Sequence, residues 1–556
     1  MLRMLNSEKF LRLNLRLHAF PNSLGLLGKA KQRIPFSLAL LLCLLLISCS
    51  SREGELSIVY GLTLAPSGID PHINASAELG IPLSSVYDTL IYQNPESGEF
   101  VPGLAEKWTI SEDAKAYTFY LRQDVLFHDD TPFNAAAVKA NIDYVLNPDH
   151  LSQKARFMLG PLERVEVIDA FTVIFHLKEP FAPLLDSLAQ VYLGIASPSA
   201  LEKWGPGEYQ FHQVGTGPYR FVEYVVNDHI TLEKNPDYAW GPDFFNNEYA
   251  QIDKVLFRFY VDRATRSLAL ESGEVDIIGE LPAQDAERLD ALDDFDLHPI
   301  PIPGQPLQLF FNVQVEPTNS LQVRHALLQA VDRQFIVETV FGAFSPVAAG
   351  PLTSNHFEYT SLDPYTSYDP EFAGQLLDEL GWKFDESVGY RLREGELLDL
   401  HLIVPNWGSN PEVGQLISAA WENLGAQVTL EVAPGFGKLR EAQGTGNYQA
   451  IGLNFFGTDA DLLRPFYSRE GLYNWTGFQD SRFEQLLTQA SQATLDPGMR
   501  VRLYQELARL IHQEALVLPI RDYVNLVVAR SSVQGLRYSS QGWFPYLIDF
   551  HLAPEK

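Results

Sequence analysis

Along two short stretches of this chain, hydrophobic and polar positions alternate in step. Tyr117, Phe119 and Leu121 form one such row, and Val173, Phe175 and Leu177 form another. A period of two predicts half-buried strands at both places. Elsewhere the period is that of a helix. Val413, Leu416, Ile417, Ala420, Trp421 and Leu424 fall on one face. Asn410 stands where a cap is needed, Pro411 suits the first helical position, and Gly425 closes the segment. A second helix is predicted from Asp369-Pro370 to Gly381, burying Ala373, Leu376, Leu377 and Leu380. Further helices are predicted at 134–146, 263–272, 321–332, 480–492 and 498–513. Mixed strands and helices without a fixed repeat define the α/β class. The chain has 556 residues, more than one core serves, so several domains are expected.

The first fifty residues follow another pattern. Arg3, Lys9, Arg12, Arg16, Lys29, Lys31 and Arg33 face only Glu8, an apolar run extends from Ile34 to Ile47, and Ser48-Cys49 follows. Basic, then apolar, then small is the order of a secretory signal, and the run is short for a membrane span. The ending Leu46-Ile47-Ser48-Cys49 resembles the bacterial lipobox, which implies cleavage after residue 48, acylation of Cys49 and a polar tether over 49–54. Cys43 and Cys49 are the only cysteines. Cleavage and acylation together leave no free thiol and no disulfide, so the fold is expected to rest on packing alone.

Composition narrows the function. Hydrophobic residues make up 46% and charged residues 20%, a globular profile, and the net charge is −29. Loss of the basic leader leaves the remainder more acidic still. That charge argues against a nucleic-acid partner and against electrostatic docking on anionic lipid. Enzyme signatures are missing: there is no HExxH, no G-x-S-x-G and no G-x-x-x-x-G-K-[ST]. His128, His176, His229 and His401 are scattered and read as packed or surface residues, so neither metal nor cofactor is expected. Gly215-Thr216-Gly217-Pro218 reads as a tight turn, because a Pro-Tyr follows where a phosphate loop would start a helix.

One long, ordered string is more specific. It runs Pro102-Gly103-Leu104-Ala105-Glu106-Lys107-Trp108, then Tyr117 to Arg122, then Val125-Leu126-Phe127-His128-Asp129-Asp130-Thr131-Pro132-Phe133-Asn134-Ala135. Ile69-Asp70-Pro71-His72, Val86 to Leu90, Gly215 to Tyr219, Ser272 to Asp276, and Val323 to Arg333 follow in order. Together these resemble bacterial extracellular solute-binding proteins of family 5, the oligopeptide, dipeptide and nickel-complex group. The resemblance covers nearly all of 56–540. Asp130 stands where the family has Gly; Asp tolerates a positive φ better than most residues.

The resemblance implies a bilobed, periplasmic-binding-protein-like fold with an extra inserted domain. The first lobe combines 55–87, 206–304 and 525–556 with an inserted domain over 88–205, and the second lobe spans 305–524. It further implies a monomer outside the cytoplasm, held to a membrane by lipid alone. That monomer captures a peptide or other small solute without altering it and delivers it to an integral membrane ABC permease with a cytoplasmic ATPase. In peptide-binding relatives an aspartate of the second lobe pairs with the peptide α-amino group; Phe456-Gly457-Thr458-Asp459, with Phe466 downstream, fits that motif. Asp459 is therefore the expected anchor, with Phe456 beside it and Asp70 in the first cleft loop. Leu463 stands where a Pro is usual. Arg156 is the residue of the inserted domain that could hold a carboxylate-rich chelate. Trp407 occupies the place where dipeptide binders carry an Arg, offering an apolar wall instead. A nickel chelate, an opine or a sugar-like solute, and a sensor without an importer, remain open as alternatives.

Overall fold

The computed structural model describes residues 55–362 and 367–554. The signal segment, Cys49 and the tether up to residue 54 lie outside the described residues. Both alternating rows are strands. Ala116–Leu121 and Thr172–Leu177 pair antiparallel in a four-stranded sheet, and in each strand every second residue is buried. The order of that sheet is Ala105–Ile110, Ala116–Leu121, Thr172–Leu177, Leu162–Asp169.

Two larger sheets carry the rest. The first has seven strands in the order Phe295–Pro301, Val524–Arg530, Ile277–Ile278, Ser57–Leu62, Lys254–Phe259, His229–Lys234, Tyr219–Val225. Ser57–Leu62 runs parallel to both of its neighbours. The second has five strands in the order Gln427–Ala433, Asp399–Pro405, Ala450–Phe456, Gly304–Phe311, Val517–Arg521. The chain thus leaves one sheet at Pro301, enters the other at Gly304, and returns between Arg521 and Val524. The crossings lie side by side: the Ile302 N–H donates to the Tyr523 carbonyl at 2.9 Å. Gly304 sits at φ 141°, and a Cβ there would lie 2.3 Å from the Phe455 carbonyl oxygen, so this crossing requires glycine.

The apolar cores respect the division. Two clusters of buried side chains draw only on residues before 304 or after 523, and two others only on residues 307–520. No larger buried apolar cluster among the described residues spans both lobes. What joins them is partly apolar, with Phe344 packed against the first-lobe cluster that holds Leu270 and Phe295, and partly polar. Arg263 donates to the Gly408 carbonyl at 2.9 Å, and the Ala182 N–H to the Ser491 carbonyl at 2.7 Å.

Helix boundaries follow the caps. Asn134, Asp262, Asp480 and Asp496 each accept a backbone N–H at the start of the helices Ala135–Leu146, Arg263–Ser272, Ser481–Gln492 and Pro497–Gln513. Two expectations are corrected. The segment expected as one helix over 321–332 stops at Gln329, and Asp332 caps a new helix, Arg333–Phe341. Asn410 does not cap; it is the first residue of Asn410–Asn423 and turns its amide back to the Trp407 carbonyl at 2.6 Å. Asp130 does adopt positive φ, at 63°. The Gly215-Thr216-Gly217-Pro218 segment is a turn pressed on the chain at Ser85-Val86. A Cβ on Gly215 would lie 2.0 Å from the Val86 carbonyl oxygen.

Candidate functional site

The strand Ala450–Phe456 is central in the second sheet, and it delivers Phe456, Thr458 and Asp459 to the face that meets the first lobe. Phe456 packs against Tyr523 at 4.9 Å and Trp543 at 5.2 Å between ring centroids. These three aromatics come from the second lobe, the returning crossing and the first lobe. The Trp543 indole N–H is buried without a hydrogen-bond partner among the described residues.

Asp459 is nearly buried, its side chain 14% exposed. Its Oδ1 accepts the Asp461 N–H at 2.7 Å, capping the short helical turn Ala460–Leu463, and also the Arg500 Nη2 at 2.5 Å. The other oxygen, Oδ2, meets no hydrogen-bond donor among the described residues. Arg500, on Pro497–Gln513, reaches Glu358 Oε1 with its other nitrogen at 3.1 Å, and Glu358 lies 2.9 Å from the His356 ring. Burial raises the Asp459 carboxyl above its ordinary range, opposed by Arg500. Asp461 next door is held by Arg464 and by the Tyr504 hydroxyl at 2.8 Å.

A second carboxylate faces this one from the other lobe. Asp186 lies on Leu184–Leu188 of the first lobe, and it accepts a hydrogen bond from the Thr458 hydroxyl and another from Gln190 at 2.7 Å. Gln541 donates to the same Thr458 hydroxyl at 2.7 Å. Burial, then Asp459, pushes the Asp186 carboxyl up to about 6. The cleft is therefore short of positive charge where its two walls meet.

The remaining expected residues fall elsewhere. Trp407 is 36% exposed, in the loop between Asp399–Pro405 and Asn410–Asn423. That loop is gripped from the first lobe by Arg263, so Trp407 stands at an interlobe contact. Asp70 does not reach the cluster. Its side chain is 2% exposed, accepts the His72 N–H at 2.9 Å and the Tyr144 hydroxyl at 3.3 Å, and ties a turn inside the first lobe. Arg156 is exposed on the short helix Ala155–Met158. Lys154, two residues earlier, turns inward instead and lays its ammonium 3.8 Å over the Tyr192 ring, where burial lowers it to about 8 against the pull of Asp186. Asp186, Glu358, Arg500 and Gln541 were missed by sequence reasoning. A lone acid in the apolar run Phe181-Ala182-Pro183-Leu184-Leu185-Asp186 was the one signal available.

At the crossing, a further acidic pair braces the first lobe. Glu78 accepts the Leu64 N–H at 2.9 Å, and Glu280 accepts the Tyr523 hydroxyl at 2.8 Å. Burial, then Glu280, raises the Glu78 carboxyl to about 7.

Separate cores, adjacent crossings and a polar cleft between them define a bilobed solute receptor, the class whose lobes close around a ligand. The chain matches the model of bacterial extracellular solute-binding proteins, family 5 (middle), over residues 99–477, and it belongs to that family. It is similar to the glutathione-binding protein GsiB of Escherichia coli O1:K1 / APEC, 28% identical over 489 residues, 86% of this chain and 90% of the relative. Among solved structures, NikA from Brucella suis in complex with Fe(III)-EDTA is 25% identical with a TM-score of 0.80, covering 89% of this chain and all of that one. DppA from Helicobacter pylori in complex with peptide STSA shares the fold, at 24% identity and a TM-score of 0.72, covering 89% of this chain and 98% of that one. The protein is an extracytoplasmic solute-binding component of an ABC importer, not an enzyme. No described helix is long and apolar enough to cross a membrane.

Proposed function

We propose that this receptor carries peptides, and that Asp459 holds the peptide α-amino group. The observation that carries the reading is the free Oδ2 of a nearly buried carboxylate at the interlobe face. An ammonium placed there gains a charge-assisted hydrogen bond in a poorly hydrated site. The surrounding excess of carboxylates disfavours an anionic chelate. The GsiB relative supports the same reading, since its named ligand, glutathione, is a tripeptide with a free α-amino group.

The lobes, divided near 304 and 524, close by rotation about the two crossings and hand the solute to a membrane permease driven by its ATPase. Acylated Cys49 tethers the receptor to the membrane, and Trp407 walls the far end of the ligand. Titration calorimetry with one peptide in free and N-acetylated form tests the anchor. Acetylation and Asp459→Asn should each weaken binding at least tenfold, about 1.4 kcal/mol. Unchanged affinity in both experiments refutes the reading.

A further inference from the structure

The anchor carboxylate does not face the first lobe alone. Thr458, its immediate neighbour, donates its hydroxyl to Asp186 and accepts from Gln541, so one threonine side chain carries two hydrogen bonds from the second lobe to the first. Asp186 is 8% exposed, and Gln190 fixes its second oxygen at 2.7 Å. The fully buried members of each larger apolar cluster keep to one lobe, and Phe344 and the Phe456–Trp543 pair add apolar contact across the boundary, so these bonds belong to a small set of contacts that holds the cleft shut. Yet closing them brings two buried carboxylates together, Asp186 from one wall and Asp459 from the other.

We propose that Asp186, Thr458 and Gln541 form a charge-gated latch. A ligand ammonium at Asp459, or a proton on Asp186 when the cleft is empty, relieves the repulsion between the walls and lets Thr458 dock. The ligand half of this latch rests on the anchor role of Asp459; the proton half does not.

The charges facing Asp186 are few. Gln190 and Thr458 are neutral donors, Asp459 repels, and Arg500 and Lys154 attract from further off. Arg500 is already shared between Asp459 and Glu358. Lys154 sits on the Tyr192 ring. Neither cation bonds Asp186 directly. Burial is the first cause and Asp459 the second in raising Asp186 to about 6 when the latch is shut. The sign follows. A carboxyl whose pKa is higher in the closed form penalises that form at high pH. The penalty is fully present above about 6 and is relieved as pH falls through that value. Lowering the pH from 8 to 5 should raise the ratio of closed to open ligand-free protein by about tenfold.

Small-angle scattering of the ligand-free protein at pH 8 and pH 5 tests the latch. The radius of gyration should fall at pH 5 in the wild type. Asp186→Asn keeps an acceptor for Thr458 without the charge, so it should be compact at both values. Thr458→Val, on the other lobe, removes the donor and should stay expanded at both. A wild-type radius that ignores pH overturns the proposal, as does an Asp186→Asn radius equal to wild type at pH 8. N-acetylated peptide separates this proposal from the anchor reading. If acetylation costs affinity while pH and Asp186→Asn leave the radius unchanged, the latch fails and the anchor stands. If free and acetylated peptide bind alike while acid still compacts the protein, the anchor fails and takes the ligand half of the latch with it.

Discussion

Arg500 is wedged between Asp459 and Glu358, and its removal should be felt first in stability. The guanidinium lies 2.5 Å from Asp459 and 3.1 Å from Glu358, with side-chain exposures of 14% for Arg500, 14% for Asp459 and 5% for Glu358. Arg500→Leu keeps much of the volume against the Tyr504 ring, strands Asp459 and leaves Glu358 with the His356 ring alone. Breaking a buried pair costs about 3–5 kcal/mol, because the partner stays buried without compensation. Asp459 loses its one cationic partner and Glu358 keeps His356, so a loss within that range is expected at pH 7. The loss should shrink as pH is lowered, because carboxyls deprived of their cation take up protons more readily in the folded than in the unfolded chain. Urea unfolding at pH 7 and pH 5 measures both. A peptide should then stabilise the variant more than the wild type, since its ammonium supplies the missing charge. For the wild type the gain at a ligand concentration of 100 Kd is about 2.7 kcal/mol. A loss below about 1 kcal/mol at pH 7, or a peptide gain no larger than in the wild type, refutes the view that this cluster is dry and short of cations.

Other outcomes can be checked more simply. Glu78→Gln should stabilise the protein at pH 8 by about 1–3 kcal/mol and do nothing at pH 4, because the raised Glu78 carboxyl penalises folding above about 7 and not below its ordinary range near 4.5; denaturation at the two pH values decides it. Gly215→Ala places a methyl 2.0 Å from the Val86 carbonyl oxygen and should cost more than about 2 kcal/mol in the same assay. Asp130→Gly should gain up to about 1 kcal/mol, since Asp130 holds φ at 63°. Cys49→Ala should release the protein from isolated membranes, as read by fractionation and by the mass of the mature N-terminus.

The sequence made the regular elements legible wherever one face was buried. Alternation at 116–121 and 172–177 mapped directly onto strands because those strands show one face to a core. The helix expected over 321–332 ends at Gln329 instead, because the apolar Ala330 and Val331 extend the pattern past it, and only the side-chain bond of Asp332 to the Phe335 N–H, capping the next helix, marks the break. The motif singled out Asp459 as a candidate, but nothing in it announced the pairing with Arg500. Forty-one residues separate the two, and Arg500 lies on a helix with other arginines at 502 and 509. Asp70 shows the converse. Its local string is recognisable, yet the side chain is spent on a turn and on Tyr144, a contact that no local pattern announces. Asp186 stood out as an acid in an apolar run, but its partner Thr458 lies 272 positions away.

These distances in sequence bear on how the receptor works. Apolar burial is the largest favourable contribution to folding, and here the fully buried clusters lie within single lobes. Closure adds the apolar contacts of Phe344 and of Phe456 with Trp543, and a handful of hydrogen bonds, each worth about 1 kcal/mol net, acts beside them. Against bonds of that size, one uncompensated buried charge weighs on the balance between open and shut. On the proposed latch, the acidic walls at Asp186 and Asp459 add a charge dependence to closure that the aromatic contacts in the cleft do not carry. On the same reading, a solute that carries an ammonium group favours the closed state by supplying the charge that the two walls lack, whatever its net charge, and one without a cationic group has no such lever.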